Sequence, residues 1–241
     1  MNKKLEDNIR KYLSKKGEIS KQKLAKAISR DFPSWSEATI DIRISQLKKQ
    51  GIIRNPSKGI YSLSSKTSYK PEPSRDLKKL YNKLRKEFPF ATFCVWDSNW
   101  ISEFMRHQPF KHYLVLDAEK EVMESAFNLL TQSSKNVFLE PQEEIYTRYI
   151  SNLDESIIIK KLVSESPVES INGITVPNLE KLLVDMLIDK DLFAAQQGEI
   201  EFIFRRAFEK YEINKLQMKR YAKRRNRDIE VTKILNSIIV K

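Results

Sequence analysis

Cysteine is almost absent. The single thiol, Cys94, excludes an internal disulfide and suits a reducing, cytoplasmic setting. Histidine is nearly as scarce. His107 and His112 are too few for a histidine-rich metal site and are not at ligand spacing, so no metal is expected. With 5 glycines and 9 prolines a loop-dominated fold is excluded, and no glycine-rich stretch could cradle a phosphate, so no cofactor is expected. No apolar run approaches about 18 residues, which argues against a spanning helix and a membrane partner. The charged start MNKKLEDNIR has no apolar core, so a secretory signal is not expected either.

What is present is charge, unevenly placed. The 241 residues are 40% hydrophobic, enough for two domains with separate cores, and carry a net +12. Residues 1–73 hold 17 Lys/Arg against 7 Asp/Glu, net +10. Residues 74–204 hold 15 against 21, and residues 205–227 hold 10 against 2. A basic, then acidic, then basic chain suggests a polyanion touched at two places, although a lysine-rich helix face can also be merely solvated.

Residues 1–63 read as the first domain. Leu5, Ile9, Tyr12 and Leu13 predict a helix ending before Gly17, and Glu18–Ser20 a short connector. Ser20 caps a second helix with Leu24, Ala25 and Ile28 inward, which closes near Pro33 because proline cannot continue it. A third helix is expected with Ser34 as N-cap and Glu37 completing a capping box. Ile40, Ile44 and Leu47 form its buried stripe, Ala38, Ile42, Ser45 and Lys49 its other face, and Gly51 its left-handed stop. Ile52–Arg54 and Ile60–Leu63 flank the turn-forming Asn55–Gly59 and predict a hairpin. Three helices followed by a hairpin is the order of a winged helix-turn-helix.

The pattern S-x-x-T-I-x-x-x-I-x-x-L-x-x-x-G-I-I from Ser36 to Ile53, followed by K-G-I-Y, resembles the recognition helix and wing of bacterial winged-helix regulators. That resemblance implies double-stranded DNA as partner, with Ser36, Glu37, Thr39 and Asp41 facing the major groove. Arg54 and Lys58 of the hairpin would meet phosphate, and Arg43 and Lys49 complete the expected set. One departure is plain: positions 37 and 41 are often basic in such regulators and are acidic here. A carboxylate can accept from cytosine N4, or Glu37 can serve only as a cap. A winged helix used for protein contact is the competing reading, against which the +10 charge weighs.

Residues 64–74 are polar with two prolines and read as an extended linker. Residues 75–241 read as an α/β layer covered by a helical tail, giving a mixed α+β and α/β fold class overall. Strands are predicted at 93–96, 112–116, 136–139 and 156–160, with helices between them. Val168–Ile171 and Ile174–Val176 flank Asn172-Gly173, which suits a type I′ hairpin. From Pro177 onward only helices are expected. Leu179, Leu182, Leu183 and Met186 make a core face, with Glu180 and Asp185 outside it and Glu180 free to cap or to pair with a tail arginine. In the basic tail helix Lys219 and Lys223, and Arg220 and Arg224, align at i, i+4, and Arg225 extends the patch. This face reads as a second phosphate contact or as a contact with the acidic middle segment.

Catalytic constellations are thin. Asp97-Ser98 lacks the glycine and second acid of a nucleotidyltransferase, and Asp117-Ala118-Glu119-Lys120 has a metal nuclease's residue types at the wrong spacing. Cys94, in an apolar strand with no basic residue nearby in sequence, reads as core.

Thr175–Asp185 and Tyr221–Arg225, together with the winged helix, resemble the AbiEi family, antitoxins of type IV toxin–antitoxin systems. The resemblance implies a cytoplasmic, non-enzymatic repressor acting in phage defence. It would bind its own promoter operator, expected to contain repeats, and counteract a cognate nucleotidyltransferase-like toxin without needing a stable complex. The alternative is a DNA-targeted enzyme, a divergent nuclease or nucleotidyltransferase with a winged-helix targeting domain.

Overall fold

The computed structural model describes residues 3–64 and 66–239. The chain is of mixed α/β class and forms two compact units, Met1–Tyr69 with Phe208–Glu212, and Lys70–Ala207 with Ile213–Lys241.

The first unit runs α1 (Lys3–Lys16), β1 (Glu18–Ser20), α2 (Lys21–Asp31), α3 (Glu37–Lys49), β2 (Ile53–Ser57) and β3 (Ile60–Leu63). Apolar residues at helical spacing drive it together: Leu5, Ile9 and Leu13 of α1, Leu24 and Ile28 of α2, and Ile40, Ile44 and Leu47 of α3 share one core. Glu18–Ser20, expected as a connector, is instead a strand, antiparallel to β3 in a three-stranded sheet ordered β1-β3-β2. Ile19 supplies the reason, since pairing lets its side chain join the core while its backbone groups stay bonded. Gly51 stops α3 at φ 68, and a Cβ there would lie 2.7 Å from Ser68 Oγ, so both backbone and space call for glycine.

Within the stretch read as a linker, Ser64, Lys66 and Thr67 are tied down. Thr67 makes an isolated parallel bridge to Tyr211, Ser64 Oγ donates to Glu212 Oε2 at 3.0 Å, and Lys66 donates to the Phe208 carbonyl.

In the second unit α4 (Arg75–Glu87) is followed by β4 (Phe93–Asp97), a 3-10 turn at Ser98–Phe104, and β5 (Leu114–Ala118). Next come α5 (Met123–Thr131), β6 (Val137–Leu139), α6 (Glu143–Arg148) and β7 (Ile157–Lys161). The sheet is ordered β4-β5-β7-β6, antiparallel at its first pair and parallel at the other two. Alternation along the strands separates two layers. Phe93, Val95, Leu116, Ala118 and Ile159 share a core with Leu77 and Leu84 of α4 and Ala126 and Leu130 of α5. The hairpin β8 (Val168–Ile171) and β9 (Ile174–Pro177) adds Ile174 and Val176 to that layer, turning through Asn172 and Gly173, both at positive φ. The opposite face carries Trp96, Val115, Asp117, Ile158 and Lys160. It is met by α7 (Leu179–Met186), which is buried along its whole length, and by Phe193, stacked on Trp96 at 5.7 Å. The chain closes with α8 (Ile200–Lys210), α9 (Lys215–Arg224) and α10 (Asp228–Ile239). Among the described residues no helix is long and apolar enough to cross a membrane.

Candidate functional site

In the first unit the candidate surface is α3 and the hairpin after it. The helix begins later than expected. Ser36, not Ser34, is the N-cap, accepting from Thr39 N at 3.2 Å and sharing a 3.0 Å hydroxyl contact with Thr39 Oγ1. The cause is local packing: Trp35 N donates to Phe32 O and the two rings stack at 4.2 Å, so the chain is still turning at residue 35. Glu37 thereby becomes the first helical residue, where its charge favours the helix N-terminus, rather than the far partner of a capping box.

Several of the expected base-facing groups are already engaged. Ser36 and Thr39 hold the cap. Asp41 Oδ2 is paired with Lys21 Nζ at 2.8 Å, and that hydrogen bond holds the Lys21 ammonium above the usual lysine range. Arg43 reaches Gln46 Oε1 at 2.8 Å and lies over the Trp35 ring at 5.5 Å. Glu37 and Lys58 stand in solvent, and the exposed Arg54 donates to Ser62 Oγ at 3.0 Å across the hairpin. Lys49 closes α3, and its side chain lies outside the described residues. Lys21 was missed by the sequence reading, although the run Lys21-x-Lys23-x-x-Lys26 at the head of α2 was there to suggest it.

In the second unit α9 buries Met218, Tyr221 and Ala222 and turns Lys219, Arg220, Lys223 and Arg224 to solvent. Arg224 pairs with Glu165 and donates to Ser164 Oγ at 3.3 Å. Arg225 does not extend the patch. Its side chain is 17% exposed and turns inward to Asp185 Oδ1 at 3.7 Å and Asp189 Oδ1 at 3.9 Å. Arg225 follows the last turn of α9, so its direction is set by these acids rather than by the helix face.

The inward turn belongs to a buried ionic network between β5, α7 and α9. Lys181 Nζ sits 2.6 Å from both Asp117 Oδ2 and Asp185 Oδ2, with its side chain 2% exposed. Trp96 Nε1 donates to Asp117 Oδ2 at 3.0 Å, and the Tyr221 hydroxyl donates to Asp185 Oδ1 at 2.8 Å. Lys160 Nζ meets Asp189 Oδ1 at 2.6 Å. Three acids therefore face Lys160, Lys181 and Arg225, which keeps the cluster neutral. Burial works against the Lys181 charge, but Asp117 and Asp185 outweigh it and hold the ammonium well above its ordinary range. Burial, then Asp185, pushes the Tyr221 phenol far up, so it remains a donor. Asp189 is raised by burial against the pull of Lys160.

One expectation fails here. Glu180 and Asp185 are not outside the core face: both are buried, with Glu180 Oε1 accepting from Asn214 N at 2.5 Å ahead of α9. Cys94 is buried in β4 as a core residue, and burial raises its thiol against the pull of Lys181. The acids considered for a nuclease are engaged elsewhere, Asp117 in the network and Glu119 with Thr92 N at 3.1 Å. Among the described residues no three His, Cys, Asp or Glu side chains converge as a metal site. What the network does is brace: it joins the sheet, α7 and α9 and fixes which face of α9 meets solvent.

No curated protein matches the chain. A family model, described as a family of unknown function (DUF6577), matches residues 39–241, which takes in most of α3, the hairpin and the whole second unit. The chain belongs to that family, DUF6577.

Proposed function

We propose that the chain is a DNA-binding transcriptional regulator whose first unit is a winged helix-turn-helix acting on an operator, with repeats, in its own promoter. The observation that carries this reading is the outer face of α3. It stands free beside the β2–β3 hairpin in a segment, residues 1–73, of net charge +10. Neutralising phosphates is the main source of DNA affinity, and a free helix face at a hairpin is how a winged helix reaches the groove. Lys58 at the hairpin tip and Lys23 and Lys26 along α2 add exposed cations to the same unit. The solvent face of α9 adds a second set of phosphate contacts.

In the same reading the second unit counteracts a nucleotidyltransferase-like toxin in the manner of AbiEi antitoxins, without a stable complex. Support comes from the two stretches that carry the resemblance, Thr175–Asp185 and Tyr221–Arg225. They meet through the Tyr221–Asp185 hydrogen bond and the Arg225–Asp185 pair.

Electrophoretic shift of the chain's own upstream DNA tests the first half. If about six phosphates are neutralised, affinity falls about 1,000-fold between 50 and 200 mM salt. A folded protein that shifts no duplex at low salt overturns the reading. Co-expression with an adjacent nucleotidyltransferase-like gene tests the second half: growth is restored if the reading holds and stays arrested if it does not.

A further inference from the structure

On the outer face of α3 the polar groups suited to base edges are largely spent, and methyl groups remain. Residues 38, 41, 42 and 45 lie on this face at helical spacing, and all four are exposed. Asp41 is taken by Lys21, Ser36 and Thr39 by the cap, and Arg43 by Gln46 and the Trp35 ring. Between them stand Ala38 and, one turn on, Ile42, whose side chain is 57% exposed although the helix has a full apolar stripe on its other side. An isoleucine left in water at the centre of a helix face gains by covering its methyls, and the covering surface must suit a strongly basic unit. That charge favours a polyanion over an apolar protein groove.

From this we infer that Ala38 and Ile42 form a methyl-reading strip that packs on the C5-methyl groups of thymine in the major groove. Specificity at the centre of the site then comes from apolar contact rather than from hydrogen bonds. Thymine is the one base that presents a methyl group there, and alanine and other small apolar groups are suited to meet it. The acidic positions 37 and 41 cease to be an anomaly: Asp41 is neutralised within the unit and Glu37 serves the helix N-terminus. Ser45, one turn beyond Ile42, is the polar residue of the strip left to bond a base edge. The inference rests on the DNA-binding reading above.

Uracil scanning of the upstream duplex tests it with the full chain, because uracil keeps every base-pairing group and lacks only the methyl. The expected result is a loss of about four-fold in affinity at each contacted thymine, the equivalent of about 0.8 kcal/mol for one buried methyl-sized group. In Ile42→Ala the uracil substitutions at thymines that Ile42 contacts are expected to cost less than in the natural chain, whereas the cost at thymines under Ala38, and any effect of uracil on DNA shape, persists in the variant. Ile42 is exposed, so Ile42→Ala leaves the fold intact, which circular dichroism checks. Equal affinity for the thymine and uracil duplexes overturns the inference while leaving the DNA reading standing. So does an Ile42→Glu variant that binds as tightly as the natural chain, which would assign the strip to a protein partner. A folded chain that binds no duplex at all overturns both.

Discussion

Replacing Lys181 by methionine tests the buried network most directly. The substitution roughly keeps the length of the side chain and removes one charge. Asp117 and Asp185, each 3% exposed, would then face each other across the vacated position without their shared cation. Trp96 still donates to the first, and Tyr221 and Arg225 still serve the second, so neither is wholly abandoned. Breaking a buried pair by removing one partner costs about 3–5 kcal/mol, and two acids depend on this cation, so the upper half of that range applies. At about 2–4 °C per kcal/mol for a unit of this size, the transition of the second unit should fall by roughly 8–20 °C. Calorimetric scans of the full chain at neutral pH measure this, with the transition of the first unit as internal reference. Adding Asp117→Asn to Lys181→Met removes the surplus negative charge and should recover a good part of the loss. A shift under about 2 °C for the single variant would refute the reasoning, as would a double variant no better than the single.

Ser36→Ala should destabilise the first unit by about 1 kcal/mol, as loss of an N-cap does, while Ser34→Ala leaves it unchanged; urea midpoints of the two variants decide between the caps. Lys219→Ala with Lys223→Ala should lower the salt slope of DNA binding by about two and leave sequence preference alone, measured by titration at several salt concentrations. Tyr221→Phe, which leaves Asp185 one donor short, should lower stability by roughly 1.5–3 kcal/mol, read from the same denaturation curves. The hydrogen bonds from Thr92 hold the Glu119 carboxyl below the usual range. Its contribution to stability is therefore present above the unfolded value near 4.5 and lost as pH falls through the lower folded value. Glu119→Gln should accordingly flatten the acid limb of the stability profile and leave its slope above pH 6 unaltered.

The first unit was legible in sequence because its signals are local. Ile40, Ile44 and Leu47 repeat at the period of a helix and Gly51 supplies a left-handed stop; in the second unit Asn172-Gly173 likewise names its own turn, and each signal needs only its neighbours along the chain. Where a signal depended on packing, it misplaced the detail. Ser34 and Ser36 are equally good caps by composition, and the Phe32–Trp35 stack chose between them. β1 is three residues long and becomes a strand only because β3 returns beside it.

For the candidate surfaces, sequence alone supplied the residue types and their spacing, and hence the two basic segments and the free face of α3. Tertiary structure decided which of those side chains are still available. Hydropathy assigns lysine and aspartate to solvent, so it put Glu180 and Asp185 outside and Arg225 on the patch. All three were drawn inward by partners distant in sequence: Glu180 by the Asn214 amide, Asp185 by Tyr221, and Arg225 by Asp185 and Asp189. A charge can be buried only where its counter-charge is already held, and that condition is met by the fold, never by a stretch of sequence on its own.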